Sequence, residues 1–294
     1  MMQKVGVVGI PWVFSDERQG TALAPFAIRY TGILEQLSNM EIELCDFENL
    51  DFCTEEMLFL RTDLKAVTNK MLSQTELLEV MLRQVDTSLV LAGDEWVAQL
   101  LFLAAQKQND ESIYVILDAP VQTDFFASYL GVLKKLLEEP NSELGNLRLK
   151  PSQFCILSAK RELETEKAFF EKAGVKYFGL ADIENLGFEE VILRLLAWTR
   201  KKDASVHLLL SASAIDPVFV PGVNRISVGG LTYREVAHFM EVMAKRGSFS
   251  SIMVAGLNPL RDEGNKSAKF MARMFEIYFK TRSLVDEKKA KGLT

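Results

Sequence analysis

Runs of apolar residues alternate with longer amphipathic segments along the whole chain, and this alternation limits the folds open to it. The runs are rich in Val, Ile and Leu, which is typical of strands buried on both faces. Strands are predicted at residues 4–9, 41–46, 88–92, 112–118, 153–158, 175–179, 206–210 and 251–255. Helices are predicted at residues 25–37, 62–84, 95–106, 124–137, 161–173, 188–201, 233–245 and 263–281. We therefore expect a three-layer α/β fold with helices on both faces of a mostly parallel sheet of about eight strands.

Local signals mark several helix ends. Thr232 and Glu235 have the spacing of a capping box, in which the hydroxyl accepts from one backbone N–H and the carboxylate reaches back to another. Gly174 and Gly247 each follow a predicted helix, at a position where a left-handed C-cap favours glycine.

Composition narrows the classes of function. The chain has 294 residues, 48% of them hydrophobic, and a formal net charge of -6. This length fits one large domain, so we assign residues 1–294 to a single unit. The acidic balance leaves no basic field for nucleic acid or an anionic membrane, and the apolar runs are far shorter than the ~20 residues of a membrane span. Cysteines without metal-ligand spacing indicate reduced thiols and a cytoplasmic protein.

Polar residues cluster where three predicted strands end. Ligands of open parallel sheets bind beyond the carboxyl ends of the strands, so these clusters are the candidate site. They read Ala92-Gly93-Asp94-Glu95, Asp118-Ala119-Pro120-Val121-Gln122 and Ser211-Ala212-Ser213.

One stretch resembles a known family. Val228-Gly229-Gly230-Leu231-Thr232-Tyr233-Arg234-Glu235, together with Asp216-Pro217 and Asn258-Pro259, is similar to the arginase/agmatinase (ureohydrolase) family. The resemblance implies an arginase-like fold and a manganese site at the three polar clusters. It also implies a homo-oligomer, a trimer or hexamer, or a regulatory partner of an active paralogue.

The family's ligand patterns are G-G-D-H, D-A-H-x-D and F-D-x-D-x-x-D-P. By this resemblance, one ligand is kept, one becomes a different oxygen donor and four become neutral residues. The family's guanidinium-binding glutamate, two residues before an Asn-Pro, is replaced by glycine. In the order of the patterns the positions are Glu95, Asp118, Pro120, Gln122, Ser211, Ser213 and, for the guanidinium, Gly256.

These replacements predict a weak metal site. Losing even an indirect partner of a ligand costs about 1.4–2.7 kcal/mol of metal affinity, so five altered ligands imply a loss of about 7 kcal/mol or more. We therefore expect no tight two-metal cluster and no cofactor, beyond one weakly held manganese at Glu95 and Asp118. The resulting hypothesis is a metal-free arginase-like pseudoenzyme with no catalytic residues, no guanidine hydrolysis and a structural, regulatory or ligand-binding role.

Two alternatives stay open. The first is a divergent ureohydrolase-type C–N hydrolase with a reduced single-metal site around Glu95 and Asp118. The second is a small-molecule sensor that binds a ligand in the remnant pocket. Serine nucleophilic catalysis is disfavoured because the chain has only two histidines, His207 and His238. Both histidines are interpreted as structural.

Overall fold

A parallel sheet of eight strands brings the carboxyl ends of its strands, with the polar residues that follow them, to one side of the molecule. The computed structural model describes residues 3–13, 16–40, 42–50, 64–118, 133–134, 149–158, 160, 164–200 and 204–290. The strands are β1 (Gln3–Ile10), β2 (Ile42–Asn49), β3 (Thr87–Ala92), β4 (Ile113–Leu117), β5 (Phe154–Leu157), β6 (Lys176–Phe178), β7 (Val206–Ser211) and β8 (Ser251–Ala255). They lie in the order β2-β1-β3-β8-β7-β4-β5-β6, with parallel neighbours throughout. The predicted α/β class is therefore confirmed.

Helices follow most of the strands. They are α1 (Ala24–Arg29), α2 (Ile33–Ser38), α3 (Leu64–Leu82), α4 (Ala98–Gln108), α5 (Glu164–Ala173), α6 (Leu180–Leu186), α7 (Phe188–Thr199), α8 (Tyr233–Arg246) and α9 (Lys266–Ala290). Over the part of the chain that the structure describes, none of them is long and apolar enough to cross a membrane.

The core has two halves, one on each face of the sheet. Because side chains alternate across a strand, Leu208 and Leu210 of β7 pack into one apolar cluster and Leu209 into the other. All three side chains are fully buried. This two-sided burial explains why the strands read as continuous apolar runs, and it gives the three layers expected from the sequence.

Most predicted boundaries agree with the structure, and the differences have local causes. The helix predicted at 25–37 is two helices, because Gly32 between them adopts a left-handed φ of 79°. The short helix α6 was not predicted, and most of the helix predicted at 124–137 lies outside the described residues. The Thr232 capping box is confirmed, as is the left-handed Gly174. The same prediction is wrong for Gly247, whose φ is -128° and whose backbone leaves α8 extended.

The strand order determines which loops meet. The central strands β3, β8, β7 and β4 are consecutive in the sheet, although they are far apart in the chain. Their carboxyl ends therefore lie side by side, and the residues that follow them form the candidate site.

Candidate functional site

Four central strands each contribute a polar or small residue at their carboxyl ends. Glu95 follows β3, Asp118 follows β4, Ser211 ends β7, and Gly256 follows β8. The side chains of Glu95, Asp118 and Ser211 are buried, with 5%, 0% and 0% exposure. Ser213 is partly exposed and links them to the surface of the described structure.

Two serines join the two carboxyl groups through a continuous hydrogen-bond chain. Ser211 Oγ lies 3.0 Å from Glu95 Oε1, and Ser213 Oγ lies 2.8 Å from Asp118 Oδ1. The two hydroxyl oxygens are 2.6 Å apart. Ser211 Oγ also accepts the backbone N–H of Ser213 at 3.2 Å, which fixes the tight turn after β7. We call these four residues the carboxyl–serine chain.

The two hydroxyls of the carboxyl–serine chain cannot supply a proton to every oxygen–oxygen contact in it. Three oxygen–oxygen contacts within hydrogen-bond distance need three protons, whereas the two hydroxyls supply only two. The two hydroxyls can therefore donate to only two of these contacts at a time. Rotation of the hydroxyls changes which two contacts they fill.

A buried lysine adds positive charge to this edge. Lys160 lies beyond the end of β5 and is only 3% exposed. Burial lowers its pKa, while the negative charges of Asp118 and Asp216 act in the opposite direction. The charge of Lys160 therefore interacts with those of both carboxylates. Sequence reasoning missed Lys160, although a lysine just after a buried parallel strand was the available signal.

Asp216 has a structural role at the same edge. Partial burial raises its pKa, but hydrogen bonds from the backbone N–H groups of Val218 and Gly229, together with the charge of Lys160, bring it below the ordinary value. These bonds lie at 2.9 and 2.8 Å and hold the loop that follows β7. The turn contains Asp216-Pro217, one of the strings that carried the family resemblance.

Glycine at position 256 leaves room for Glu95. Gly256 has φ of 78°, and a Cβ built there would lie 2.0 Å from Glu95 Oε1. Its N–H donates to the carbonyl of Gly93 at 2.8 Å, which holds the loops after β8 and β3 together. The carboxylate of Glu95 thus fills the space in which a side chain at 256 would begin. Glu95 and Gly256, both replacements in the family pattern, are therefore sterically linked, because a side chain at 256 would displace the Glu95 carboxylate.

Among the described residues, the donors at this site are fewer than the two-ion manganese centre of the resemblance would use. No group of three or more His, Cys, Asp or Glu side chains able to hold a metal occurs within the described ranges. Glu95 and Asp118 are separated by the two serines, and neutral hydroxyls are weaker ligands than carboxylates.

Most of the predicted site residues meet as expected. Glu95, Asp118, Ser211 and Ser213 form one chain, and Gly256 contacts it. Two further predicted positions, Pro120 and Gln122, lie outside the described residues. Their part in the site stays a prediction, as does the loss of the full manganese ligand set.

Comparison with known proteins covers almost the whole chain. Residues 3–279 match the model of a family described as the arginase family. The chain is 25% identical over 298 residues to the arginase of Bacillus caldovelox, covering 95% of this chain and 98% of that protein. It is 27% identical over 290 residues to the arginase of Bacillus subtilis strain 168, covering 94% and 97%. A crystal structure of Bacillus subtilis arginase superposes with a TM-score of 0.81 at 25% identity, covering 94% of this chain and 98% of that one.

These comparisons correct the hypothesis of a metal-free pseudoenzyme. That hypothesis is wrong, because the similarity to proteins named arginase extends over the sheet, the helices and the edge that carries the site. The replaced ligands concern only a few positions of the sequence. They do not outweigh a similarity to arginases that covers almost the whole chain. The chain belongs to the arginase family.

Proposed function

We propose that this chain is an arginase-type hydrolase that cleaves a C–N bond in a guanidino compound. The observation that carries the proposal is the carboxyl–serine chain, buried at the carboxyl ends of the central strands. Relatives named arginase match this protein over 94–95% of its length. The proposal adopts the divergent-hydrolase alternative, in which the site keeps few of the family's usual donors.

Substrate recognition follows from the acceptors in the site. A guanidinium group is a planar cation that carries only N–H donors, and carboxylates bind it with two parallel hydrogen bonds. Glu95 offers a buried carboxylate beside Gly256, where no side chain intervenes. We assign it the binding and orientation of the guanidinium group, with Ser211 holding its Oε1 in place.

Proton movement is assigned to the rest of the carboxyl–serine chain. Hydrolysis of a guanidino group requires a proton to leave the attacking water and another to reach the departing amine. Asp118 and the partly exposed Ser213 form a donor–acceptor pair that can orient water from the accessible side. The charge of Lys160 interacts with that of Asp118, which places a positive charge near this pair.

For the cofactor, we propose at most one weakly held Mn²⁺. Carboxylate oxygens are ligands that this ion prefers, and Glu95 and Asp118 are the described candidates. When bound, that ion would supply positive charge to polarise the guanidino group or the attacking water. The roles assigned above use only protein groups.

The direct test is urea release from guanidino compounds, measured with the purified full chain with added Mn²⁺ and with EDTA. Arginine and agmatine are suitable first substrates, followed by other guanidino acids and amines. We expect Glu95→Gln to lower kcat/KM by about 10- to 150-fold, because a hydrogen bond to a charged group contributes about 1.5–3 kcal/mol. Asp118→Asn should lower kcat more strongly than it raises KM.

A matched control is Glu241→Gln, which removes an exposed carboxylate paired with Lys245 on α8. Its kinetics should equal those of the unmodified protein. If the folded protein releases no urea from any guanidino compound, with or without Mn²⁺, the proposed function is wrong. If urea is released but Glu95→Gln and Glu241→Gln behave alike, the assignment of the site is wrong.

We also propose assembly into a homo-oligomer in the cytoplasm. The support is a set of large apolar side chains on the loops near the site, with Ile226, Val228 and Leu260 exposed by 71%, 78% and 72%. These loops are joined by the hydrogen bond from Asn258 to Asn224 at 2.6 Å, so they present a defined surface. Analytical ultracentrifugation tests the proposal, and a purely monomeric protein at micromolar concentration would contradict it. The single domain over residues 1–294 stays a prediction.

A further inference from the structure

A buried lysine lies at the carboxyl ends of the strands, one strand beyond the carboxyl–serine chain. The strands β4 and β5 are parallel neighbours in register, with Leu117 opposite Leu157. Asp118 is the residue after β4, and Lys160 lies three residues after the end of β5, so both belong to the same end of the sheet. Lys160 is only 3% exposed, and lysines are seldom this buried unless they are paired.

The side-chain nitrogen of Lys160 has no direct partner within the described part of the chain. No carboxylate oxygen of the described residues lies within 4.0 Å of it, and none of their acceptors is hydrogen-bonded to it. Its charge interacts with those of Asp118 and Asp216 from beyond that distance. Both carboxylates already accept hydrogen bonds, Asp118 from Ser213 and Asp216 from backbone N–H groups. The ammonium group therefore has three N–H donors available for another acceptor.

An anionic group can reach this nitrogen. Among the described residues, the fully enclosed polar atoms that lack a partner include His207 Nε2 but not the nitrogen of Lys160. Lysine side chains bury their methylene stem and keep the charged end in contact with water, so the exposed part of Lys160 is its ammonium group. A charge in such surroundings is poorly solvated and is stabilised by an ion of opposite sign. A carboxylate is suited to this position, because it accepts charge-assisted hydrogen bonds from ammonium groups.

Opposite charges stand at the two ends of this row of strands. Glu95 follows β3 and lies beside Gly256 after β8, whereas Lys160 follows β5, with β7 and β4 between them. Contacts of 3.0, 2.6 and 2.8 Å lead from Glu95 to Asp118 through the two serines, and β5 is the next strand after that of Asp118. A carboxylate at one end and an ammonium group at the other match a molecule with the complementary charges at its two ends.

We propose that Lys160 binds the carboxylate of the substrate while Glu95 binds its guanidinium group, so that the site selects guanidino acids over guanidino amines and uncharged alkylguanidines. The inference rests on the proposed hydrolase function and names its substrate class. A guanidino amine brings a second cation to Lys160, which repels it, and an alkylguanidine leaves the ammonium group without a counter-ion.

Calorimetric binding to the purified full chain tests the inference apart from urea release. The probes are 4-guanidinobutyrate, agmatine and n-butylguanidine, which share a guanidino group on a four-carbon chain and differ in the charge of the far end. We expect the unmodified protein to bind the acid most tightly. Lys160→Met should weaken binding of the acid by about 10- to 150-fold, as for loss of a hydrogen bond to a charged group, and leave that of n-butylguanidine unchanged. Lys160→Arg keeps the charge and should retain most of the preference.

Lys245→Met is the matched control, because Lys245 is an exposed lysine on α8, and this variant should bind all three probes as the unmodified protein does. The inference is overturned if the unmodified protein does not bind the acid, or binds n-butylguanidine as tightly. It is also overturned if Lys160→Met folds, as shown by thermal unfolding, and weakens both ligands equally, which would indicate a structural role. Should Lys160→Met not fold, the preference of the unmodified protein decides the question.

The two proposals fail in different ways. Urea release at equal kcat/KM from all three compounds would refute the role of Lys160 and support the hydrolase function. Selective, Lys160-dependent binding of the acid without urea release would support the role of Lys160 and refute hydrolysis.

Discussion

Replacing Gly256 with alanine tests whether the glycine at this position is what leaves room for the Glu95 carboxylate. The new Cβ would lie 2.0 Å from Glu95 Oε1 and 2.6 Å from its carboxyl carbon, so the carboxylate must move. Movement is possible because these atoms are the end of a side chain, but it breaks the 3.0 Å hydrogen bond with Ser211. We therefore expect a folded but destabilised protein with an altered site.

The loss of unfolding free energy expected for Gly256→Ala has two parts. A non-glycine residue in the left-handed region costs about 1–2 kcal/mol, and Gly256 has φ of 78°. Loss of a hydrogen bond to a charged group costs about 1.5–3 kcal/mol. The free energy of unfolding of Gly256→Ala should therefore fall by about 2.5–5 kcal/mol.

Gly32→Ala is the matched control. Gly32 has φ of 79°, and a Cβ built there meets nothing within 4 Å. This variant should lose only the backbone part, about 1–2 kcal/mol. Equilibrium denaturation of both variants measures the difference, which reports the displacement of Glu95. Adding Glu95→Ala to each variant should remove that difference.

The reasoning is refuted if Gly256→Ala is no less stable than Gly32→Ala. It is also refuted if the difference between them persists when Glu95 is replaced by alanine, because the clash would then involve some other group.

Three further predictions concern the scaffold. Thr232→Ala should destabilise the protein by about 1 kcal/mol, because it removes the side-chain N-cap of α8, and thermal unfolding would detect the loss. Partial burial raises the pKa of Asp182, but the hydrogen bonds from Lys167 and from the N–H of Gly179 outweigh it and leave the pKa below its ordinary value. Its stabilisation should therefore be present above the unfolded pKa of about 4 and be lost as the pH falls through the lower folded pKa, whereas the Asp182→Asn protein should not show this loss. Gly230→Ala should fold poorly, because the new Cβ would lie 2.5 Å from backbone atoms that cannot move aside, and soluble yield compared with Gly32→Ala measures this effect.

Much of the fold was predictable because burial leaves a direct record in the chain. Strands covered on both faces need apolar residues at every position, and seven of the eight predicted strands end within one residue of the observed bounds. The exception is β2, whose residues are mostly partly exposed and which continues to Asn49, so its end leaves a weaker apolar record in the sequence. Helix interruptions are less visible, as the split at Gly32 illustrates.

The convergence of Glu95, Asp118, Ser211 and Ser213 was also predictable, because parallel strands place their carboxyl ends along one edge. Their actual bonding was not. Whether two side chains meet at 2.6 or at 6 Å depends on rotamers and on neighbouring loops, which a pattern of residue types does not record. Because residue types alone do not show how side chains meet, the replaced ligands suggested an inactive protein. The comparisons along the whole chain instead favour an arginase-type hydrolase.

The amino-acid sequence by itself determined the alternation of strands and helices, the parallel sheet, and the edge at which the polar residues gather. These properties depend on periodicity and on the hydrophobic effect, which act locally and repeat along the chain. The tertiary structure alone decided that the charge of Lys160 interacts with that of Asp118, that Glu95 fills the space beside Gly256, and that His207 lines a cavity at the amino ends of the strands. Each of these contacts joins residues from different strands, so it exists only once the strand order has brought them together.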